Sequence, residues 1–278
     1  MRRVCFLLSL LLLSAVAVGA RQLEVQDTVA SQVFWKGSSG PYNIDWSAAN
    51  LKATRSDTGA VVFDARAEAA DAWKDMVRDS PGASLEFEQT YRLLSIVGPY
   101  LSFQEFMSCD CGGAHPTEHT EFRTVDLSRA GSAAKLTAIF PDSQVLTALL
   151  DDRIVKNALG NTTQKSVQSN PKSLEELLDA LDGKTVKLKD CSYGIYKDTF
   201  LSNFALYDFK DEHAAVRISL SHAAEVCRGQ MTQLGLSLPA PESLRTSLSD
   251  AKQHQSGLLM IDAPHDGDTQ VTSFKFAQ

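Results

Sequence analysis

The chain has 278 residues, 44% of them hydrophobic, which is enough for a packed core in one large domain or two small ones. Its 27 basic and 34 acidic residues give a net charge of −7. That balance argues against nucleic acid and anionic lipid as partners and leaves neutral or basic ones.

Residues 1–20 read as a secretory signal. Arg2 and Arg3 form a short basic start, "VCFLLSLLLLSAVAV" is the apolar run, and "VGA" closes it at Ala20. The run is shorter than the roughly 20 residues a spanning helix needs, so cleavage near Ala20 is expected and no lasting membrane anchor. Cys5 lies ahead of the apolar centre, which is the wrong place for a lipid-anchoring cysteine. Setting aside Arg2 and Arg3 leaves 25 basic against 34 acidic residues, a net charge of −9 for the exported chain. A periplasmic or secreted location follows.

Beyond residue 20, "WKGSSGPYN" reads as a linker or turn, and "YNIDWSAANLKATR" alternates as a strand. "AVVFDARAEAADAWKDMVRD" places Val62, Ala65, Ala69, Trp73 and Met76 at helical spacing, and "SPGAS" ends that helix. Two strands follow. "SLEFEQTYRLLSIVG" sets Leu85, Phe87, Gln89 and Tyr91 on one side. "PYLSFQEFMSCD" sets Leu101, Phe103 and Glu105 on one face, with Phe106 opposite. "TEFRTVDLS" resumes as a strand, so the glycine-bearing segment before it reads as the extended loop of a hairpin.

"AGSAAKLTAIF" is a short strand or turn, and "PDSQVLTALLDDRIVKNAL" is one helix carrying Leu146, Leu149, Leu150 and Ile154. "GNTTQKSVQSNP" is a polar loop, and "KSLEELLDALDG" is a short helix stopped by Gly183. "NFALYDF" and "AAVRISL" form a second hairpin, "PAPESLRTSL" a capped helix, and the last thirty or so residues an extension of low order or an edge strand. The expected fold is α+β, a mostly antiparallel sheet with helices packed on one face. The expected organisation is an N-terminal strand and helix module over 21–83, a main domain over 84–249 and an extension over 250–278.

"MSCDCGGAHPTEH", residues 107–119, concentrates the chemistry. Removing Cys5 leaves Cys109, Cys111, Cys191 and Cys227, an even set suited to an oxidising compartment. Four cysteines allow three pairings. A Cys109–Cys111 bridge would close a very tight ring, so each is expected to join one of the distant pair, Cys191 and Cys227. A Cys2His2 metal set from Cys109, Cys111, His115 and His119 is the competing reading. Pro116 stands between the histidines and argues against the helix that would align them, so no metal ligands and no cofactor are expected. Thiol redox catalysis is opposed by Asp110 and Glu118 beside the cysteines.

The loop then reads as a turn that presents Gly112, Gly113, Ala114, His115, Pro116 and His119 as a binding surface. No G-x-S-x-G, H-E-x-x-H, phosphate-binding or dinucleotide-binding glycine motif occurs, so no catalytic residues are expected. The sets His222/Glu225/Cys227 and Glu118/His119/Glu121 read as surface groups, and Glu175, Glu176, Asp179 and Asp182 as a solvated helix face.

The stretch from about 84 to 249 resembles the extracytoplasmic domain family of the RsiV-type lysozyme-sensing anti-sigma factors, also found at the C-terminus of PdaC-type peptidoglycan deacetylases. The resemblance rests on the strand pair, "GGAHP" at 112–116, "FRTVDL", "LTAIFP", the helix "VLTALLDDRIVKNAL" and the "NFALYDF…VRISL" hairpin. Residues 42–84 look like the module that often precedes that domain. Cys111 stands where the family has an aromatic residue or threonine. The resemblance implies the fold, an envelope location and a binding role toward a basic protein such as lysozyme, or toward a peptidoglycan fragment. A cell-wall-modifying enzyme using His115 and a metal-binding protein at the 109–119 loop are the alternatives.

Overall fold

The structure, a computed structural model, describes residues 32–80, 84–112, 115–160, 171–223, 225–263 and 270–278. Residues 1–20, read from the sequence as a secretory signal, the "SPGAS" positions 81–83 and residues 161–170, read as a polar loop, lie outside the described residues, as do Gly113 and Ala114.

The chain begins as a four-stranded antiparallel meander: β1 (Val33–Ser39), β2 (Tyr42–Ser47), β3 (Asn50–Arg55) and β4 (Val61–Asp64). The "linker" at 35–43 is therefore mostly strand, with the turn confined to Gly40 and Pro41. "YNIDWSAANLKATR" is two strands joined at Ala48–Ala49 rather than one. Helix α1 (Ala65–Asp79) starts three residues after Val62, the first position of its apolar period. Asp64 is extended, and its carboxylate accepts the amides of Arg66 and Ala67, so the helix opens there and Val62 belongs to β4.

The central sheet has five strands in the order β14-β5-β6-β7-β8. Its members are β5 (Glu86–Val97), β6 (Tyr100–Asp110), β7 (Thr117–Asp126), the two-residue β8 (Ser132–Ala133) and β14 (Thr272–Ala277). The β6–β7 pair is the long hairpin read from the sequence, in register from Tyr100↔Asp126 out to Cys109↔Thr117. Of the two readings of the C-terminal residues, the structure takes the edge strand: β14 pairs with β5.

The expected helix over 141–159 is two helices, α2 (Asp142–Asp151) and α3 (Arg153–Gly160). Asp152 breaks them. Its backbone is extended, and its side chain accepts the amides of Ile154 (2.7 Å) and Val155 (3.1 Å), capping the second helix as the first one ends. Helix α4 (Leu174–Leu181) is capped by Ser173, with Glu176 reaching back to the amide of Lys172. A two-stranded ribbon of β9 (Lys184–Leu188) and β10 (Cys191–Ile195) and the short α5 (Lys197–Phe200) lead to a second sheet. That sheet is ordered β11 (Phe204–Lys210), β12 (His213–Ser221), β13 (Met231–Pro239), and α6 (Glu242–Lys252) follows it.

The fold is thus α+β and dominated by antiparallel sheet. Its helices are shared among the layers: α1 packs on β3, β5 and β14, α2 on β13, and α6 on β5 and β11. One core lies between the N-terminal meander with α1 and one face of the central sheet, where Trp46, Leu51, Phe63, Tyr91, Phe103 and Phe274 are buried together. A larger core gathers α2, α3, α4 and α6 on the β11–β13 sheet. A small apolar cluster of Leu94, Phe122, Ala205 and Met260 lies where the other face of the central sheet meets β11. The segments 21–83, 84–249 and 250–278 read from the sequence therefore share cores.

Residues 256–258 knit these layers. Leu258 exchanges both backbone hydrogen bonds with Ile96, and the Gly257 amide donates to Ser38. Gly257 has φ +87°, and a Cβ there would fall on the carbonyl oxygen of Ile96. Gly257→Ala is therefore expected to cost about 2 kcal/mol or more, from left-handed strain plus backbone displacement, read as a lowered urea midpoint with unchanged slope.

Candidate functional site

The register of β5, β6 and β7 places six polar side chains in rows on one sheet face. Gln89, Met107 and His119 form one row; Tyr91, Glu105 and Glu121 the next; Leu93, Phe103 and Arg123 the third. Helix α1 contributes Glu68 to the same face. Arg123 Nη1 donates to Glu68 at 2.6 Å and to Glu105 at 3.3 Å, and Nη2 donates to Glu68 at 3.2 Å. Gln89 donates to Glu105.

Burial and pairing pull these groups in opposite directions. Desolvation pushes the Glu105 carboxyl above its usual range, with Arg123 opposing and Glu121 adding to the rise. Burial would lower the Arg123 guanidinium, but Glu68 and Glu105 outweigh it and the net shift is upward. Tyr91 is wholly buried with its hydroxyl unpartnered, and desolvation beside Glu105 raises it strongly.

His119 Nε2 lies 2.9 Å from Glu121 Oε2 and 3.2 Å from Ser221 Oγ, and Asn203 donates to the same Glu121 oxygen at 2.7 Å. The Ser221 hydroxyl donates to Thr120 O at 2.9 Å, and His119 meets both partners through one nitrogen. A nucleophile–base–carboxylate relay needs the two ring nitrogens facing different partners, so this trio is a positioning network.

Ser219 and Ser221 have a further role. β8 pairs with β7 only at Val125 and Asp126, which leaves the outer half of β7 as a sheet edge. Ser219 Oγ accepts the Phe122 amide at 2.7 Å, Ser221 serves Thr120 O, and the Thr120 hydroxyl donates to Gly229 O at 2.6 Å. Side chains of one sheet thereby satisfy the open edge of another.

The Glu121 hydrogen bond raises the His119 pKa, with burial opposing. A histidine raised on folding lends stability that is complete below its ordinary value of about 6.5 and is lost as pH climbs through the folded value. The ring is half-exposed, so the effect is solvent-screened and small. The expected result is that His119→Gln flattens the fall in melting temperature between about pH 6 and pH 8 that the wild-type chain shows, measured by thermal denaturation across that range.

At the end of the arm, Cys109 and Cys111 are bridged to each other, with Cα atoms 5.3 Å apart, and Cys191 is bridged to Cys227 at 5.7 Å. This corrects the expected cross-pairing. Cys109 ends β6 and Cys111 lies just past it, where the chain leaves the ladder and Gly112 takes φ +85°. With only Asp110 between them, the two sulfurs meet without a distant partner. Cys191 opens β10, and Cys227 sits in a short turn docked on that ribbon through the Tyr193↔His222 bridge and the Ala223 amide on Ser192 O.

Of the loop residues, Gly112, His115 and Pro116 are exposed, whereas His119 lies inside β7 in the polar network. His115 and His119 are thus on different structural units, and the paired sulfurs are not available as thiolate ligands. Among the described residues no three His, Cys, Asp or Glu side chains are grouped to hold a metal ion. The sequence reading gives no role to Glu68, Arg123, Asn203, Ser219 and Ser221, and it places Gln89, Tyr91 and Glu105 on strand faces without assigning them to a site. Gln89 and Glu105 carried a signal: each is a polar position on the inward face of an otherwise apolar strand. No protein-family model matches this chain. No curated protein matches it.

Proposed function

We propose that the protein is an exported, non-catalytic binding module of the bacterial envelope. It recognises a basic muramidase or a cell-wall component at the far end of the β6–β7 hairpin. The observation that carries this reading is the long β6–β7 hairpin, paired out to Cys109↔Thr117, which holds Gly112, His115 and Pro116 in solvent. Binding residues on a segment positioned by a rigid sheet are a common arrangement. Two disulfides suit an oxidising compartment, and among the described residues no helix is long and apolar enough to cross a membrane. The acidic balance of the chain favours fast encounter with a basic protein and predicts that binding weakens with salt. The resemblance to the RsiV-type domain points the same way.

The test is calorimetry with lysozyme and with soluble muropeptides at low ionic strength. One of the two is expected to bind, and His115→Ala is expected to weaken that complex about tenfold or more while shifting stability by no more than about 0.5 kcal/mol, because the side chain is exposed. Absence of binding to both ligands at low salt would sink the proposal.

A further inference from the structure

The two disulfides differ in kind. Cys191–Cys227 spans 36 positions and joins a ribbon to a turn that backbone hydrogen bonds already hold against it. If reduced, its sulfurs would remain side by side, at high effective concentration, and would re-form the bond. Cys109–Cys111 spans two positions and closes a ring around Asp110 alone. Its sulfurs lie two positions apart in the chain, so no contact between distant elements is needed to bring them together. Cys109 is buried, but Cys111 is exposed.

We infer that Cys109–Cys111 is a thiol-exchange site, reduced selectively by an extracytoplasmic dithiol while Cys191–Cys227 stays intact. A thiolate of the dithiol attacks the exposed Sγ of Cys111 and forms a mixed disulfide. The S–S bond to Cys109 breaks, and the Cys109 sulfur leaves with the electron pair and takes a proton from water. The second thiol of the reagent then attacks its own sulfur in the mixed disulfide and releases Cys111 as a thiol. The net change oxidises one dithiol to a disulfide and reduces one protein disulfide to two thiols.

The direction of attack follows from access, since Cys109 is shielded at the Phe87↔Cys109 row. Once protonated, Cys109 is a small apolar side chain that suits its buried place. Asp110 is exposed at the ring and Glu118 lies on the facing strand, so the site disfavours anionic thiols and suits neutral dithiols. Those acids make Cys109 and Cys111 poor nucleophiles, but here the disulfide is the electrophile, and it needs no activated thiolate of its own.

The experiment is a redox titration of the native protein in dithiothreitol buffers. Free thiols are trapped with N-ethylmaleimide and located by peptide mass spectrometry, with circular dichroism recorded at each point. The expected result is label at Cys109 and Cys111 at a reduced-to-oxidised ratio at least tenfold lower than at Cys191 and Cys227, about 30 mV for a two-electron couple, with the spectrum unchanged. Release of both pairs together, or of Cys191–Cys227 first, would overturn the inference. The readout is independent of any binding partner, so its failure and the failure of the proposed function are distinguishable.

Discussion

Arg123→Met is expected to lower stability by about 3 kcal/mol or more, although Arg123 retains some solvent contact. The loss comes from what stays behind. Glu105 is among the more deeply placed carboxylates of the central sheet, and Arg123 is the cation that offsets its burial. Without the guanidinium, Glu105 keeps its desolvation and its repulsion from Glu121, and Glu68 loses both of its hydrogen bonds to Arg123.

Removing the second charge should return much of the loss. The double variant Arg123→Met with Glu105→Gln is expected to lie within about 1–2 kcal/mol of wild type, because a neutral amide needs no counter-charge. The pH dependence supplies a further check. A carboxyl raised on folding is taken up in its protonated form, so its burden on the folded state is absent below its ordinary value of about 4.3 and grows as pH climbs through the raised value. The Arg123→Met deficit should therefore shrink toward about pH 5 and widen toward about pH 8. Urea midpoints of wild type, single and double variants at both pH values would check this; a deficit equal at both would refute the account.

The second large effect is at the long bridge. Cys191→Ser combined with Cys227→Ser is expected to cost about 4 kcal/mol, the loop-closure entropy for a ring of this length. The matching change at Cys109 and Cys111 removes a much shorter constraint and should cost about 1.5 kcal/mol or less on the same scale. Guanidinium unfolding of the two double variants measures the contrast. Equal losses would mean that ring size does not govern the difference.

The strands of the central sheet were legible because their alternation is long and regular. Leu85, Phe87, Gln89 and Tyr91 do share a side, as do Leu101, Phe103 and Glu105, and the loop between β6 and β7 falls where the glycines stand. Where a local rule competed with the period, the reading went astray. Asp152 lies within an unbroken apolar repeat, yet its carboxylate is better used as a cap than exposed in mid-helix. β13 carries little strand signal. Its Gly235 weakens any strand signal, but a side chain there would collide with Arg217, which reaches across to lie over the Tyr207 ring at 4.3 Å.

The polar network was half visible for a different reason. Alternation places Gln89 and Glu105 inward, but the partners that make this tolerable come from elsewhere in the chain: Glu68 from α1, Arg123 from β7, Asn203 from just before β11 and Ser221 from β12. Which cysteines pair is likewise a property of the finished fold. Four positions in a line say nothing of which ends meet.

The pairing of β14 with β5 also governs the order of events during folding. Thr272 aligns with Tyr91, about 180 positions earlier in the chain, and Phe276 lies against Phe87 and Trp73. Until β14 docks, the outer edge of β5 has no partner and its aromatic row stays uncovered. Closing so wide a loop is slow, and an open apolar edge is a template for pairing with another copy. The central sheet is thus sealed only when its C-terminal strand docks, and until then the edge of β5 stays open to pairing with another copy.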